Sequence, residues 1–450
     1  MSNRQLIKKI FDRGKELGLG DMEVYIQGSK QFDTRIFEGE IDKYSLSDEI
    51  GLSFRGVYNG KMGYSYTEKV DESSIDMLIK EVIENAVTID SEDEEEIFSG
   101  SKEYKEVYTY NSELENVTTE EKIDFAKALE KAAYAADKRV TSVNSCVYGE
   151  GKGYTLIANT KGLNLENKSN IAQAYVSVVV KEGEDVKTGM SFITSNDFRK
   201  FNAAKLAADA VKEAVSMLGA ESIESGKYPI ILRNDVAASI LQAFSSVFIA
   251  ENVQKKLSLL KGKLSEQIAN ELLTIVDDPF LKDGVASSSF DGEGVAARYK
   301  KIIDKGVLKT YLHNSKTAKK DGVESTGNAS KGSYKSPVSI SPTNMYIENG
   351  STSLDSMIED IKKGIMIIDV QGLHSGLNPV SGDFSLSAYG YLVEEGKVAR
   401  PINQITIAGN LYEVFKGIEA VGNDLKFGFP SSAYIGSPSL KINNLAIAGK

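Results

Sequence analysis

The stretch Ala172-Gln173-Ala174-Tyr175-Val176-Ser177-Val178-Val179-Val180-Lys181 decides the fold class. Val176, Val178 and Val180 recur at every second position in a run rich in β-branched residues. Successive side chains of a strand point to opposite faces, so this alternation predicts a strand with one face on a core. Upstream, Thr118 with Glu121 three residues later is a capping-box pattern, and it predicts an Ala-rich helix to about Asp137. Val140 to Tyr148 and Tyr154 to Asn159 predict two more strands. Between them, Gly149-Glu150-Gly151-Lys152-Gly153 reads as a hairpin; it resembles a phosphate loop only superficially, because it lacks the Gly-Lys-Ser/Thr ending. Downstream, Asp197 to Leu218 predicts a helix with Ala204, Ala207, Ala208, Val211 and Val215 on one face.

The N-terminal region repeats this order of helix, strands, helix. Leu6, Ile10, Gly14 and Leu17 form one helical stripe, with Gly18 as a stop. Glu23 to Gln27, Arg35 to Ile41 and Ile50 to Tyr58 predict strands, and Asn59-Gly60 predicts a two-residue hairpin turn before Tyr64-Ser65-Tyr66. Ile75, Leu78, Ile79, Val82 and Ala86 predict a second helix, and the acidic run Ser91 to Glu96 reads as a solvated linker. Beyond Gly226, Tyr228 to Leu232 predicts a strand. Asp235 is a candidate cap for a helix carrying Ala238, Leu241, Phe244, Val247 and Phe248. Asn403 to Gly409 and Tyr434 to Ile442 predict strands in a Gly-rich remainder. Strands and helices do not alternate regularly enough for a doubly wound sheet. The expected class is α+β, with N-terminal α/β regions built on mixed or antiparallel sheets and a β-rich C-terminal domain. The expected domains are residues 1–98, 99–225 and 226–450.

Composition narrows the function. The chain has 450 residues, 41% hydrophobic and 26% charged, with a net charge of −11. A chain this long buries enough surface to fold without a disulfide or structural metal. Its acidity opposes direct contact with nucleic acid, since phosphate binding needs a basic patch. The lone Cys146 cannot form an internal disulfide, which favours a reducing compartment. Neither a signal peptide nor a run of about 18 apolar residues is present, so a cytoplasmic protein without membrane contact is expected. Two histidines, His313 and His374, lie too far apart for a His-Glu-x-x-His zinc helix.

Several segments carry a family resemblance: Ser289-Phe290-Asp291-Gly292-Glu293-Gly294-Val295, Ile303 to Tyr311, Ser325-Thr326-Gly327-Asn328-Ala329, Gly372 to Ser387 and Ile402 to Gly422. In these the chain resembles the TldD/PmbA family, and Glu394 to Lys397 with Pro401 and Ile405 to Leu411 resembles its PmbA (TldE) branch. The pattern extends to Gly39 and Gly51-Leu52-Ser53-Phe54, so the resemblance covers essentially the whole chain. It implies a heterodimeric peptidase that threads unfolded peptide to a buried site. In that pair TldD supplies zinc through a His-Glu-x-x-x-His helix and a C-terminal cysteine, while the PmbA subunit has no metal site. The family has also been described as modulators of DNA gyrase. The matching helix follows Tyr228 to Leu232, and the metal-ligand positions fall near Ala243, Phe244 and Phe248, none of which can hold zinc.

No residue is expected to be catalytic or to bind metal in this chain. The candidate substrate-binding residues are His374, Ser375, Gly376, Asn378, Ser381, Gly382, Asp383, Phe384 and Ser385. Glycines there admit a peptide backbone, and the polar residues offer hydrogen bonds; the competing reading is a Gly/Pro/Asn turn. His374, Ser375 and Asp383 are also the residue types of a hydrolytic triad, which needs a geometry that sequence does not give. His313 reads as a hydrogen-bonding or surface residue, and Asp277-Asp278-Pro279 as a cap or turn. The expected role is therefore a PmbA-type subunit, with zinc held by a TldD-like partner, that helps bind unfolded peptide for proteolysis. The alternative is a homodimeric peptide-binding or regulatory protein without catalysis.

Overall fold

The computed structural model describes residues 2–88, 96–431 and 433–450. The first half contains α1 (Asn3–Glu16), β1 (Met22–Phe37), β2 (Glu40–Tyr58), β3 (Lys61–Thr67) and α2 (Ile75–Thr88). It continues through α3 (Thr119–Ala136), β4 (Val140–Asn159), β5 (Asn164–Glu182), β6 (Asp185–Ser195) and α4 (Ala203–Ser216). The strands form one antiparallel sheet in the order β3-β2-β1-β4-β5-β6. The alternation of Val176, Val178 and Val180 appears as expected: all three are buried, under α3 and α4. The Thr118–Glu121 capping box forms in both directions, with Glu121 N donating to Thr118 Oγ1 and Thr118 N to Glu121 Oε2.

Several expected boundaries move. Gly149 to Gly153 is not a hairpin: it lies inside β4, which runs unbroken because every residue from Gly149 to Gly153 is paired on both sides, to β1 and to β5. Arg35 to Ile41 is not one strand but the end of β1, a turn at Glu38 and Gly39, and the start of β2. The turn amides of Glu38 and Gly39 donate to the Glu130 carboxylate on α3. Leu17 is exposed at the end of α1 rather than on its buried stripe. Strand β6 has no counterpart in the expected elements. Of the acidic run, residues 91–95 lie outside the described residues; Glu96 pairs with Lys319 at 2.6 Å.

The two halves of the sheet repeat one topology. Each has the order α-β-β-β-α. Gly63-Tyr64-Ser65-Tyr66 on β3 matches Gly189-Met190-Ser191-Phe192 on β6. A Cβ on Gly63 would lie 1.9 Å from Val82 O of α2, and one on Gly189 would lie 2.3 Å from Ala210 O of α4, so both glycines let a helix backbone touch the sheet. Carried through the ladders, this match pairs each residue of β1 with an equivalent in β4, and Lys30 faces its own equivalent, Lys152. A local twofold axis therefore passes between these two lysines.

The C-terminal part begins with β7 (Gly226–Leu232), α5 (Asn234–Phe244), α6 (Ala250–Gln254), β8 (Ile275–Asp277), β9 (Lys300–Asp304), β10 (Val307–Leu308) and α7 (Ser315–Asp321). It continues with β11 (Ala329–Ser330), β12 (Ser339–Ile340), β13 (Asn344–Ile347), α8 (Leu354–Glu359), β14 (Lys363–Gln371), β15 (Leu377–Asn378) and β16 (Asp383–Glu394). The chain ends with β17 (Lys397–Asn410), α9 (Leu411–Lys416), β18 (Ile418–Val421), β19 (Lys426–Phe427), β20 (Tyr434–Ser437) and β21 (Leu440–Ala448). Pairing of β14 with β16 closes the order β14-β7-β21-β17-β16 into a barrel. A second sheet runs β10-β9-β8-β13-β20-β19. The buried face of α5, with Val236, Ile240, Leu241 and Phe244, joins the core that fills the barrel. Asp235 does not cap α5; the cap position is Arg233, and Asp235 sits in the first turn, bonded to the Arg233 guanidinium at 2.7 Å. Pro438 separates β20 from β21 where one strand was expected. The architecture is α+β with a β-rich C-terminal region. Among the described residues, no helix is long and apolar enough to cross a membrane.

Candidate functional site

Helix α5 has two faces. One is apolar and buried; the other presents Ser239, Gln242 and Ala243, all half-buried, to a groove of about 630 Å³. The opposite wall comes from Ser330, Gly332 and the β12 segment Ser339 to Pro342. Leu373 and His374 close one side, and Ser431 and Ala433 another, with Gln242 Nε2 donating to Ser431 Oγ at 2.8 Å. The β11–β12 ladder is only two residues long on each side. The lining thus mixes serine hydroxyls with apolar surface from residues such as Ile249, Ile340 and Leu373, a combination that suits an extended peptide.

The wall is held from behind by a buried carboxylate. Asp277, at the end of β8, is 0% exposed and accepts from Lys300 Nζ at 2.8 Å, Asn328 Nδ2 at 2.8 Å and Thr343 N at 2.6 Å. Asn328 in turn reaches Ser341 O at 3.1 Å. Asp291 Oδ2 accepts from Ala329 N at 3.0 Å, while its Oδ1 takes the amides of Glu293 and Val295. Burial, with Glu293 nearby, pushes the Asp291 carboxyl up to about 7 against the pull of these three amides. On the far side of the ladder lies a smaller cavity of about 210 Å³, reached by Tyr25 from β1 and by Lys331. Lys331 Nζ donates to Ser53 Oγ at 2.6 Å and lies 4.5 Å from the Tyr25 ring centre. The wall therefore ties the first half of the chain to the second.

The structure separates the expected site residues. His374 lines the groove. Ser375 and Gly376 belong to a turn in which both amides donate to Gly372 O, and Ser385 N donates to Gly376 O. Asn378 Oδ1 accepts from Val380 N at 2.9 Å, a turn-forming bond, and Asn378 pairs with Asp383 across the β15–β16 hairpin. Asp383 accepts from Asn410 Nδ2 at 2.8 Å; that bond, with Ser381, holds its carboxyl below the ordinary range. Gly382 packs on Tyr412, and Phe384 is buried against Phe244. Ser385 is exposed on β16. No hydrogen bond among the described residues joins His374, Ser375 and Asp383. His313 is not at the surface: it is 4% exposed, its Nδ1 has no partner among the described residues, and burial lowers its pKa. Asp278 Oδ1 accepts from Phe280 N, the turn expected before Pro279. Sequence reasoning did not single out Ser239, Gln242, Asn328 or Thr343, although Asn328 stands inside one of the motifs that carried the resemblance.

Of the expected metal-ligand positions, Ala243 faces the groove, whereas Phe244 and Phe248 are in the core. Zinc takes imidazole, thiolate and carboxylate donors. The groove face of α5 offers a hydroxyl, an amide and a methyl group, with one imidazole at the side of the groove, and this set does not fit the metal. Among the described residues no three His, Cys, Asp or Glu side chains gather as a metal site. Cys146 is buried, its thiol pushed up to about 12 chiefly by desolvation.

Three sequence families match in order: PmbA/TldA metallopeptidase domain 1 at residues 22–86, the central domain at 112–218 and the C-terminal domain at 225–449. An uncharacterized protein of Methanocaldococcus jannaschii is 30% identical, over 91% of this chain and 93% of its own. Buchnera aphidicola subsp. Acyrthosiphon pisum has two relatives, each 27% identical. Its metalloprotease PmbA homolog covers 90% of this chain and 88% of itself, and its metalloprotease TldD homolog covers 97% and 93%. A crystal structure from Thermotoga maritima, of a protein named for modulation of a DNA gyrase, superposes with a TM-score of 0.92 at 32% identity, covering 99% of this chain and 100% of its own.

Proposed function

Because the chain belongs to the PmbA/TldD metallopeptidase family, we propose that it acts as the PmbA-type subunit of a peptidase pair, holding unfolded peptide while a TldD-type partner supplies zinc. The observation that carries this reading is the groove face of α5. It follows β7, where the family resemblance puts a metal-bearing helix, and beside a groove of about 630 Å³ it bears Ser239, Gln242 and Ala243. Small and neutral side chains there leave room for substrate, and hydroxyls can both donate and accept along a peptide backbone. Hydrolysis of an amide would need a polarising metal and an activated water, and the residues that line the groove fit neither task. Their part is to bind and orient. The presence of PmbA and TldD homologs in one Buchnera strain supports a paired arrangement.

The test is affinity purification of the tagged chain from its native host, with mass spectrometry and zinc analysis of what co-purifies. A stoichiometric family subunit bearing His-Glu-x-x-x-His, with zinc tracking that subunit, is the expected result. Tight zinc binding and peptide cleavage by the purified chain alone would refute the proposal. Recovery of the chain only with itself would favour a homodimeric peptide-binding protein.

A further inference from the structure

The two halves of the long sheet share one topology, yet one strand edge carries a covering segment and its counterpart carries none among the described residues. Before Ala172, β5 has no β6 beside it, and the extended segment 101–111 takes the edge instead. Asn170 N donates to Thr109 O at 3.1 Å, Thr109 Oγ1 to Lys168 O at 2.9 Å and Asn111 N to Asn170 Oδ1 at 2.8 Å. Before Leu52, β2 likewise has no β3 beside it. Among the described residues, no strand pairs with the outer edge of β2 from Glu40 to Gly51.

The Gly63–Gly189 match places Leu46 to Asp48 where Lys168 to Asn170 carry the covering segment, and the shift in register at Arg35 and Ile36 puts Ile41 where the exposed Asn164 stands. Ile41 is 44% exposed and Leu46 66%. Tyr44 and Ile50 are exposed on the same arm. Lys30–Asp48 at 2.7 Å and Arg35–Asp42 at 3.3 Å brace it. Proteins ordinarily protect a long bare edge with short strands, charged side chains, bulges or a covering segment, because its free amides and carbonyls recruit another strand. This edge has charges at Glu40, Asp42, Lys43, Asp48 and Glu49 but no covering segment among the described residues. Here the edge is long, apolar residues flank it, and the second half shows what an edge of this sheet takes: an extended segment.

We infer that the β1–β2 arm is the docking edge for a second subunit of this fold, which lays an extended segment along Glu40 to Gly51. The inference rests on the subunit role proposed above. The sheet's own construction favours a partner of this kind, since its centre already joins the equivalent strands β1 and β4 antiparallel about a twofold axis.

The test compares tagged wild-type chain with Ile41→Lys and Leu46→Lys, each recovered from the native host with its bound subunits quantified. Val87→Lys, at another exposed apolar site, is the control. Wild type and control should carry a family subunit in equal amounts, and the arm variants about tenfold less or lower still. Circular dichroism checks that the variants fold. Independently of any variant, amides 41–50 of wild type should exchange more slowly in the assembly than in the isolated chain. Equal retention by the arm variants, or unprotected amides, overturns the docking edge and leaves the subunit role standing. No subunit of this fold on wild type overturns both. A chain that pairs only with itself, and is monomeric in the arm variants, supports the edge and overturns the paired-peptidase role. Arm variants that lose peptide binding but keep the subunit assign the edge to substrate and overturn the inference.

Discussion

Asp277→Ala should loosen the wall of the groove and destabilise the C-terminal part. The Asp277 carboxylate is fully buried and holds Lys300, Asn328, Thr343 N and Thr343 Oγ1, all within 2.9 Å. The Lys300 side chain is only 9% exposed, so removing its partner strands an ammonium that water barely reaches. Breaking a buried pair on one side costs about 3–5 kcal/mol, because the remaining charge keeps its desolvation penalty without its attraction. That is about a hundredfold to several thousandfold in the local folding equilibrium. Asp277→Ala with Lys300→Met removes both charges and should cost less than Asp277→Ala alone. The chain has no Trp, so urea unfolding is followed by far-ultraviolet circular dichroism and the fluorescence of its 21 tyrosines. A chain of this size need not unfold in one step, so hydrogen exchange at Ser339 to Ile347 reports the local effect. If Asp277→Ala falls within about 1 kcal/mol of wild type and exchange there is unchanged, the carboxylate is not the clamp described.

Three further outcomes follow from the same geometry. His374→Ala should weaken binding of an unfolded peptide while Ser375→Ala leaves it unchanged, measured by fluorescence anisotropy; the reverse pattern would return attention to the turn. Gly63→Val and Gly189→Val should each lower the melting temperature, at a cost of about 1–3 kcal/mol or more, because each Cβ meets helix backbone. A tolerated valine at either site would refute the close approach. Lys331, chiefly through burial, has its pKa lowered from 10.5 to about 8. Between those values the unfolded chain binds more protons than the folded one, so this group makes stability rise with pH from about 8 to 10.5, by at most about 3 kcal/mol. Melting curves across that window should show a rise that Lys331→Met loses.

Elements whose signal is local were legible in the sequence. The capping box at Thr118, the Asn59-Gly60 turn and the alternation at Val176 to Val180 depend on neighbours within a few residues. Gly149 to Gly153 misled because its glycines mimic a turn. In the sheet they are flanked on both sides by β1 and β5, and tertiary pairing outweighed local propensity. The site shows the same limit. His374 was found in a Gly-rich segment, but most of that segment serves its own hairpin, as Asn378 and Asp383 show. Ser239 and Gln242 are ordinary surface residues of an amphipathic helix until the β11–β12 wall stands opposite them. Asn328 and Thr343 meet Asp277 across more than fifty residues of chain, a separation no short motif records.

The groove and the arm constrain one another. Lys331 follows β11 directly and anchors on Ser53 of β2, and Tyr334 of the same loop lies against Gly51 of β2 and faces Tyr66 of β3. The residue range that carries the groove wall, 329–341, thus grips β2 where the bare edge begins. A strand added along Glu40 to Gly51 would end beside Tyr334, which stands between Ser330 and Ser339 of the groove lining. On the proposed reading, docking of the second subunit and shaping of the peptide site would be coupled through this loop. Tyr334→Ala separates the two effects. It removes a ring from the β2 surface but no side chain from the groove lining. Coupling predicts that it weakens peptide binding in the assembled pair by several-fold and leaves binding by the isolated chain unchanged. An equal loss in both states would make Tyr334 a packing residue only, and the groove and the arm would be independent.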